Sequence, residues 1–130
     1  MEASEIRNFF ANDIYAMETT GIEIVEVREN YARTHLKVGE KHKNADGVVM
    51  GGCIYTLADF TFALAANCGN GTTTTLSSNI IFNSPAPNND LFAETELVKN
   101  GRTVCTFLVR VTDEKERLIA TVTCMGFHKN

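Results

Sequence analysis

One long apolar stretch near the middle of the chain constrains the fold more than any other feature. Residues 51–68 read GGCIYTLADFTFALAANC, which combines the alanine and leucine content of a helix with apolar residues on every side. The stretch opens on the paired glycines Gly51 and Gly52, and Gly69 follows it at a position suited to a left-handed exit. A helix that is apolar all round is buried, so the sequence predicts a central helix over about residues 51–68.

Segments with a two-residue hydrophobic period surround this helix and predict β-strands. Residues 22–38 form a first hairpin, in which the alternation slips by one residue at Val25. An amphipathic helix from Ala3 to about Met17 precedes the hairpin. Four further strands are predicted at Thr73–Phe82, Phe92–Lys99, Arg102–Thr112 and Arg117–His128, separated by Ser84-Pro85-Ala86-Pro87, by the tight-hairpin signal Asn100-Gly101 and by the polar residues 113–116.

The predicted order of elements is α-β-β-α-β-β-β-β, which is an α+β arrangement. At 130 residues, 44% of them hydrophobic, the chain has the size and composition of one domain over residues 1–130. An antiparallel sheet needs cover on one face, and only the 51–68 segment is apolar enough to provide it. We therefore expect the sheet to curl around the central helix.

Composition excludes several classes of partner. The net charge of -4 and the pI near 5.3 argue against nucleic acid, because no positive field would attract phosphates. The start of the chain lacks a signal-like pattern, and no run of about 18 apolar residues occurs, so we expect a cytoplasmic protein that does not span a membrane. The four cysteines lie far apart without metal-ligand spacing, so we expect no metal and treat them as packing residues: Cys53, Cys68, Cys105 and Cys124.

Asp59 is the only charged residue between Gly51 and Cys68. Burial of an ionised carboxylate without partners costs several kcal/mol, so the side chain must be hydrogen-bonded or face an aqueous pocket. From this environment alone, a structural Asp bonded to backbone groups and a reactive carboxylate are equally good interpretations.

The paired glycines suggest a second part of a site. Gly51 and Gly52 leave backbone amides free at the positive end of a helix, where a developing oxyanion would be stabilised, although paired glycines more often serve only a turn. Asp59 lies eight residues beyond Gly51, which is about 12 Å along the helix at roughly 1.5 Å per residue. Asp59 and the glycine amides of the same helix do not readily reach one carbonyl carbon. Two copies with antiparallel helices would bring the groups together, which predicts a dimer.

The residues around this helix resemble a known family. Asn44-x-x-Gly47-x-x-Met50-Gly51-Gly52 followed by Leu57-Ala58-Asp59 is similar to the signature of PaaI-like hotdog thioesterases, N-x-x-G-x-x-H-G-G and then L-A-D. Weaker matches extend the resemblance over most of the chain, at Phe82-Asn83-Ser84-Pro85-Ala86 and Lys99-Asn100-Gly101-Arg102. The resemblance implies the hotdog fold, an antiparallel sheet of five to six strands wrapped around a long central helix.

The resemblance also implies an activity and roles for individual residues. Asp59 would attack the thioester carbonyl of an acyl-CoA or activate water, and the amide of Gly52 or Gly51 would polarise that carbonyl. Asn44 would come from the opposite subunit of a homodimer, which commonly pairs again into a dimer of dimers. Thr75 would place a hydroxyl near the attacking water, with Thr74 and Ser77 as alternatives. No cofactor is implied, because CoA is part of the substrate.

One position departs from the family pattern, since Met50 stands where many relatives have histidine. His35 and His42 do not occupy that position, and we expect both on a loop or strand surface. The substrate-binding residues are predicted to include Met50, Phe82 and Arg102, the last as a contact for CoA phosphates. The missing histidine leaves a non-catalytic acyl-CoA-binding hotdog domain as the alternative function, and it argues against a hotdog dehydratase or hydratase.

Overall fold

Six antiparallel strands and one long helix dominate the structure, a computed structural model that describes residues 1–86 and 88–129. The helices are α1 (Ala3–Phe10) and α2 (Gly51–Asn67), with a π-helical turn at Tyr15–Thr20 and a 3-10 turn at Glu40–His42. The strands are β1 (Glu23–Arg28), β2 (Tyr31–Leu36), β3 (Thr73–Phe82), β4 (Leu91–Asn100), β5 (Val104–Asp113) and β6 (Leu118–His128). Pro87, part of the predicted break after β3, lies outside the described residues.

The strands form one sheet in the order β1-β2-β4-β5-β6-β3, and every neighbouring pair is antiparallel. Helix α2 contacts all six strands, so the sheet must curve around it. The predicted hotdog architecture is therefore confirmed, with six strands and a helix at the N-terminus. In the described part of the chain, no helix has both the length and the apolar character needed to cross a membrane.

Helix α2 is buried along most of its circumference, as its sequence predicts. Leu57, Ala58 and Leu64 have no exposed surface, and the Phe62 ring meets the Phe107 ring of β5 edge to face at 5.6 Å. The buried Thr61 hydroxyl donates to the Leu57 carbonyl at 2.6 Å, which satisfies a polar group inside the core. The helix ends one residue earlier than the predicted limit.

Two local features of the sheet trace back to the sequence. The register of β1 against β2 shifts between Ile24 and Glu26, which is the slip predicted at Val25. The hairpin of β4 and β5 is at the predicted place but is longer than the two-residue turn predicted from Asn100-Gly101. The Gly101 amide donates to the Val104 carbonyl at 2.9 Å, and three residues separate the strands.

Helix α1 is shorter than predicted, because it ends at Phe10 rather than near Met17. The Asn12 side-chain amide donates to the Phe9 carbonyl at 3.1 Å, and Asp13 Oδ1 accepts from the Ala16 amide at 3.4 Å. These short polar side chains compete with the backbone bonds of a continuing helix and start the π-helical turn instead. The break leaves Phe9 exposed although the hydrophobic period placed it on the buried face.

Candidate active site

A single stripe of helix α2 is not covered by the sheet. Five residues of the stripe are exposed or half-buried: Gly52, Tyr55, Thr56, Asp59 and Ala63. The three residues between Asp59 and Ala63 are buried. The spacings of three, four and seven residues place all five on one face of the helix. Together with Gly51 and Cys53 of the first turn, the stripe is the part of α2 that solvent or a partner can reach, and it holds both features that the sequence singled out.

Two segments of the chain flank this stripe. On one side lies β3, whose Phe82 ring comes within 3.0 Å of the position that a Cβ on Gly51 would occupy. On the other side lies the segment from Asn12 to Thr20, where Tyr15 and Thr19 share a cavity with the first turn of α2. The stripe is therefore the floor of a groove between the edge strand and the N-terminal segment.

Asp59 lies half-buried near the middle of the groove. Its burial and the nearby Asp13 carboxylate both raise the pKa of Asp59 above its ordinary value. Within residues 1–86 and 88–129, the Asp59 carboxylate takes part in no hydrogen bond or ion pair. The structural interpretation of this residue required backbone hydrogen bonds, so the geometry favours a reactive carboxylate.

The first turn of α2 presents free backbone amides. The amides of Cys53 and Ile54 donate to the Met50 carbonyl at 2.9 and 3.2 Å, whereas those of Gly51 and Gly52 donate to no acceptor in the described part of the chain. Gly52 is exposed on the stripe. Met50 is 56% exposed, and its Cε lies 3.3 Å from the position that a Cβ on Gly52 would take. An oxyanion at Gly52 would have amide donors on one side and a thioether on the other.

Asn44 lies in the exposed loop that leads into α2. Its Oδ1 accepts from the amides of Asp46 at 2.9 Å and Val48 at 3.2 Å, which closes an Asx-type turn. Its side-chain nitrogen donates no hydrogen bond to the residues described, so it is available to a substrate or a partner. Asn44 and Asp59 are not hydrogen-bonded to each other within one subunit.

The hydroxyl residues of β3 lie along the edge strand that flanks the groove. Thr75 is exposed and pairs with Gly126 of β6, and its role near the attacking water stays a prediction. Ser78, which the sequence did not single out, pairs with Cys124 of β6, and the Asp59 charge acts on the Cys124 thiol. Ser78 Oγ is buried beside the Cys124 thiol, and their hydrogen bond lowers the pKa of that thiol against the larger, raising effect of burial. No signal in the sequence distinguished Ser78 from the other hydroxyl residues of β3.

Arg102 lies at the opposite end of the molecule from Gly51. It is exposed in the turn between β4 and β5, and the preceding Asn100 side chain donates to Asn70 Oδ1 at 3.1 Å, just beyond the end of α2. The 17 residues of α2 span about 25 Å at roughly 1.5 Å per residue. One subunit therefore does not bring Arg102 to the glycines, and its predicted contact with CoA phosphates stays a prediction.

The two histidines that the sequence placed on the surface, His35 and His42, differ in burial. His35 lies on β2 as expected of a strand residue, with Nδ1 2.7 Å from Glu23 and Nε2 2.7 Å from Asp90. His42 was expected on the surface but is only 6% exposed. Its Nδ1 accepts from the Gly39 amide at 2.9 Å, so Nε2 carries the proton that is donated to the Thr20 carbonyl at 2.6 Å. His42 thus ties the π-helical turn to the loop before α2.

A cavity of about 280 Å³ opens at the start of α2, where these two turns meet. It is lined by Tyr15, Thr19, Thr20, Lys41, His42, Lys43, Met50, Gly52, Cys53 and Thr56. Cys53 was predicted to be a packing residue, and unlike the buried Cys68, Cys105 and Cys124 it is half-buried against this space. The cavity is continuous with the groove through Gly52 and Thr56.

Comparison with known proteins identifies the family. The sequence model described as the thioesterase superfamily matches residues 46–120, which include all of α2 and more than half of the chain. The chain belongs to the thioesterase superfamily. An Archaeoglobus fulgidus relative named "Putative esterase" is 30% identical over 116 residues, which are 88% of this superfamily member and 75% of the relative.

Solved structures of the same superfamily share the fold. The PaaI protein of the E. coli phenylacetic acid degradation operon superposes with a TM-score of 0.91 over 98% of this chain and 94% of its own, at 19% identity. A hypothetical thioesterase from Streptococcus pneumoniae TIGR4, solved with coenzyme A, is 26% identical with a TM-score of 0.86, covering 96% and 97%. The resemblance to PaaI-like hotdog thioesterases predicted from the sequence is confirmed.

Proposed function

We propose that this chain is an acyl-CoA thioesterase, which hydrolyses a thioester to a carboxylic acid and CoA. Membership of the thioesterase superfamily and the similarity to a pneumococcal protein solved with coenzyme A support the reaction class. The observation that carries the proposal is the exposed stripe of α2, where an unpartnered carboxylate, Asp59, and the free amides at Gly51 and Gly52 face the same groove. These are the two groups that acyl transfer requires.

The chemistry follows from these groups. In one route Asp59 attacks the thioester carbonyl, and in the other it removes a proton from the water that attacks. Either attack pushes the carbonyl electrons onto oxygen, where the amide of Gly52 or Gly51 stabilises the negative charge. Collapse of the tetrahedral intermediate breaks the C–S bond and releases CoA as thiolate. In the general-base route the carboxylic acid forms at once, and the thiolate takes up the proton that Asp59 removed from water. In the nucleophilic route the acyl group stays on Asp59 as an anhydride, which water then hydrolyses to the carboxylic acid and the free Asp59 carboxylate. The raised pKa of Asp59 makes its ionised form a stronger base than an ordinary carboxylate.

A second copy of the chain would complete the site. Gly52 and Asp59 are seven residues apart, about 10 Å along α2 at roughly 1.5 Å per residue, so they serve different carbonyls unless another helix supplies one of them. Packing two α2 stripes antiparallel across a two-fold axis would place each Asp59 near the partner's helix start. Asn44 would reach the same site from the partner subunit, using the side-chain nitrogen left free by its own loop.

Edge strand β3 supports this dimer. All ten of its residues are uncharged, and Leu76, Ile81 and Phe82 are more than half exposed. A long, uncharged edge strand with exposed apolar side chains is a site of association. The opposite edge, β1, is protected by charged residues and a bulge.

Met50 is the observation that favours an alternative function. Its exposed thioether lies against Gly52, where it offers no hydrogen-bond donor to an oxyanion. A domain that binds acyl-CoA without hydrolysing it would have this arrangement. The thioesterase is the better interpretation because a binding domain has no need of the unpartnered carboxylate at Asp59, whose burial costs stability.

Release of free thiol from a panel of short-chain, aryl and medium-chain acyl-CoAs tests the proposal. We expect turnover of at least one class, and a fall in kcat of about 10²- to 10⁴-fold in Asp59→Ala, the range for loss of a general base. Glu26→Ala, which removes an exposed carboxylate on β1, is the matched control and should keep full activity. Tight acyl-CoA binding without thiol release would favour the binding domain, and unchanged turnover in Asp59→Ala would exclude the mechanism.

A further inference from the structure

The cavity at the start of α2 is placed to receive the acyl part of the substrate. Gly52 lines it, so a carbonyl held at the Gly52 amide would direct its acyl chain into this space. The volume of about 280 Å³ corresponds to roughly nine water-sized units at about 30 Å³ each, which suits a short acyl chain. Residues of the π-helical turn and of the 3-10 turn also line the cavity.

The walls of this cavity are apolar near Gly52. Met50 and Cys53 flank the glycine, and burial raises the pKa of the Cys53 thiol, so it stays neutral. Both ring nitrogens of His42 are engaged by backbone groups of Gly39 and Thr20, so neither is free to bind a ligand. The part of the cavity next to the reacting carbonyl therefore suits methylene groups.

The lining of the cavity carries positive but no negative charge. None of the ten lining residues is acidic, although the chain has 16 Asp and Glu residues and a net charge of -4. Two of them are lysines. Lys43 Nζ pairs with Glu40 at 3.0 Å, whereas Lys41 forms no ion pair with any described residue. An ammonium without an ion-pair partner in the lining of a partly apolar cavity is complementary to an anion carried on a short chain.

We propose that the site is specific for acyl groups that end in a carboxylate, which Lys41 binds in this cavity. This inference rests on the proposed thioesterase function, since it assigns the acyl group of that same reaction. CoA phosphates are the other source of negative charge on the substrate. The pantetheine arm separates them from the sulfur, so the chain that enters from the carbonyl presents its own acyl end to Lys41.

Two thioesters whose acyl chains have equal length show whether Lys41 binds the acyl carboxylate or the CoA phosphates. Glutaryl-CoA ends in a carboxylate and valeryl-CoA in a methyl group. We expect the wild-type protein to prefer glutaryl-CoA in kcat/KM, and Asp59→Asn, which holds the substrate without turnover, to bind it more tightly in calorimetry. Lys41→Met should lower the glutaryl preference roughly tenfold, the scale of one hydrogen bond to a charged group. Lys41→Arg should retain most of the preference.

Lys115→Met, in the exposed turn between β5 and β6, is the matched control and should leave the ratio of the two substrates unchanged. Equal weakening of both thioesters in Lys41→Met would assign Lys41 to the CoA phosphates and overturn the proposal. Equal affinity of the wild-type site for both thioesters, or none for either, would overturn it as well. A glutaryl preference in binding without any thiol release would instead contradict the hydrolytic function and support the pocket.

Discussion

At the scale of single residues, the chemistry depends on the protonation of Asp59. Two influences raise its pKa, first its burial on α2 and second the like charge of Asp13 from the segment after α1. The neighbouring Cys124 thiol does not titrate in the working range, because burial raises its pKa to about 11. The pH dependence of the reaction should therefore report Asp59.

Removing the Asp13 charge should shift the pH profile. Asp59 must be ionised to attack or to accept a proton, so kcat/KM should fall as the pH drops through its pKa. Because this pKa is raised, the acidic limb should lie above the ordinary Asp value of about 3.9. Asp13→Asn removes the like charge and leaves the burial, so the limb should move to lower pH. Thiol release measured across the pH range checks this shift.

Glu26→Gln is the control for this experiment, since Glu26 is an exposed carboxylate on β1, at the sheet edge opposite β3. In this variant, kcat/KM should fall at the same acidic pH as in the wild-type protein. If the limb of Asp13→Asn also coincides with the wild type, then Asp13 does not act on the reacting group.

Sequence alone identified some site residues and missed others for a physical reason. Asp59 was found because a lone charge in an apolar helix is costly wherever that helix packs. Asp13 and Ser78 were missed because their relevance depends on which segments flank the α2 stripe, which is a property of the folded chain. The burial of His42 was missed because its partner, the Thr20 carbonyl, is 22 residues away in the sequence.

At the scale of secondary structure, α2 meets the sheet in a tight contact at Gly126 of β6. A Cβ there would lie 2.7 Å from Thr73 Cγ2, 3.0 Å from Phe62 Cζ and 3.1 Å from Cys105 Sγ. Side chains from α2, β3 and β5 thus meet over this glycine, which sets the distance between the helix and the sheet.

Gly126→Ala should destabilise the protein by about 1–3 kcal/mol, because the added methyl group overpacks this contact. Gly39→Ala is the matched control, since a Cβ on Gly39 would have no atom within 4 Å and its φ of -135° suits any residue. Urea denaturation gives the free energies of unfolding. Coincident curves for Gly126→Ala and wild type would show that the helix and sheet can move apart freely.

The elements most accurately predicted were those with the clearest hydrophobic period. The limits of α2 and of β3 to β6 lie within two residues of the predicted ones, because each has a continuous pattern bounded by glycine, proline or polar turns. Helix α1 was predicted too long because the apolar residues at Ile14 and Met17 continue its period beyond Asn12. The competing side-chain bonds of Asn12 and Asp13 decided the boundary instead.

At the scale of the whole molecule, one subunit holds every group of the proposed site but does not bring the groups together. Asp59 lies in the middle of α2, the free amides lie at its start, and Asn44 lies in the loop before it. The uncharged edge β3 and the open stripe of α2 leave an apolar surface beside these groups. A dimer in which each site uses both subunits explains all of these features. A further pairing of dimers stays a prediction from the family resemblance.

Mixing two inactive variants tests the shared site most directly. We expect Asp59→Ala and Asn44→Ala each to lose most thiol release as homodimers. After the two are unfolded and refolded together, each heterodimer should contain one site with both Asp59 and Asn44 intact. About a quarter of wild-type activity should then return, because half of the dimers are mixed and each has one intact site of two. No recovery, or full activity from a subunit that stays monomeric in light scattering, would contradict a site formed across the interface.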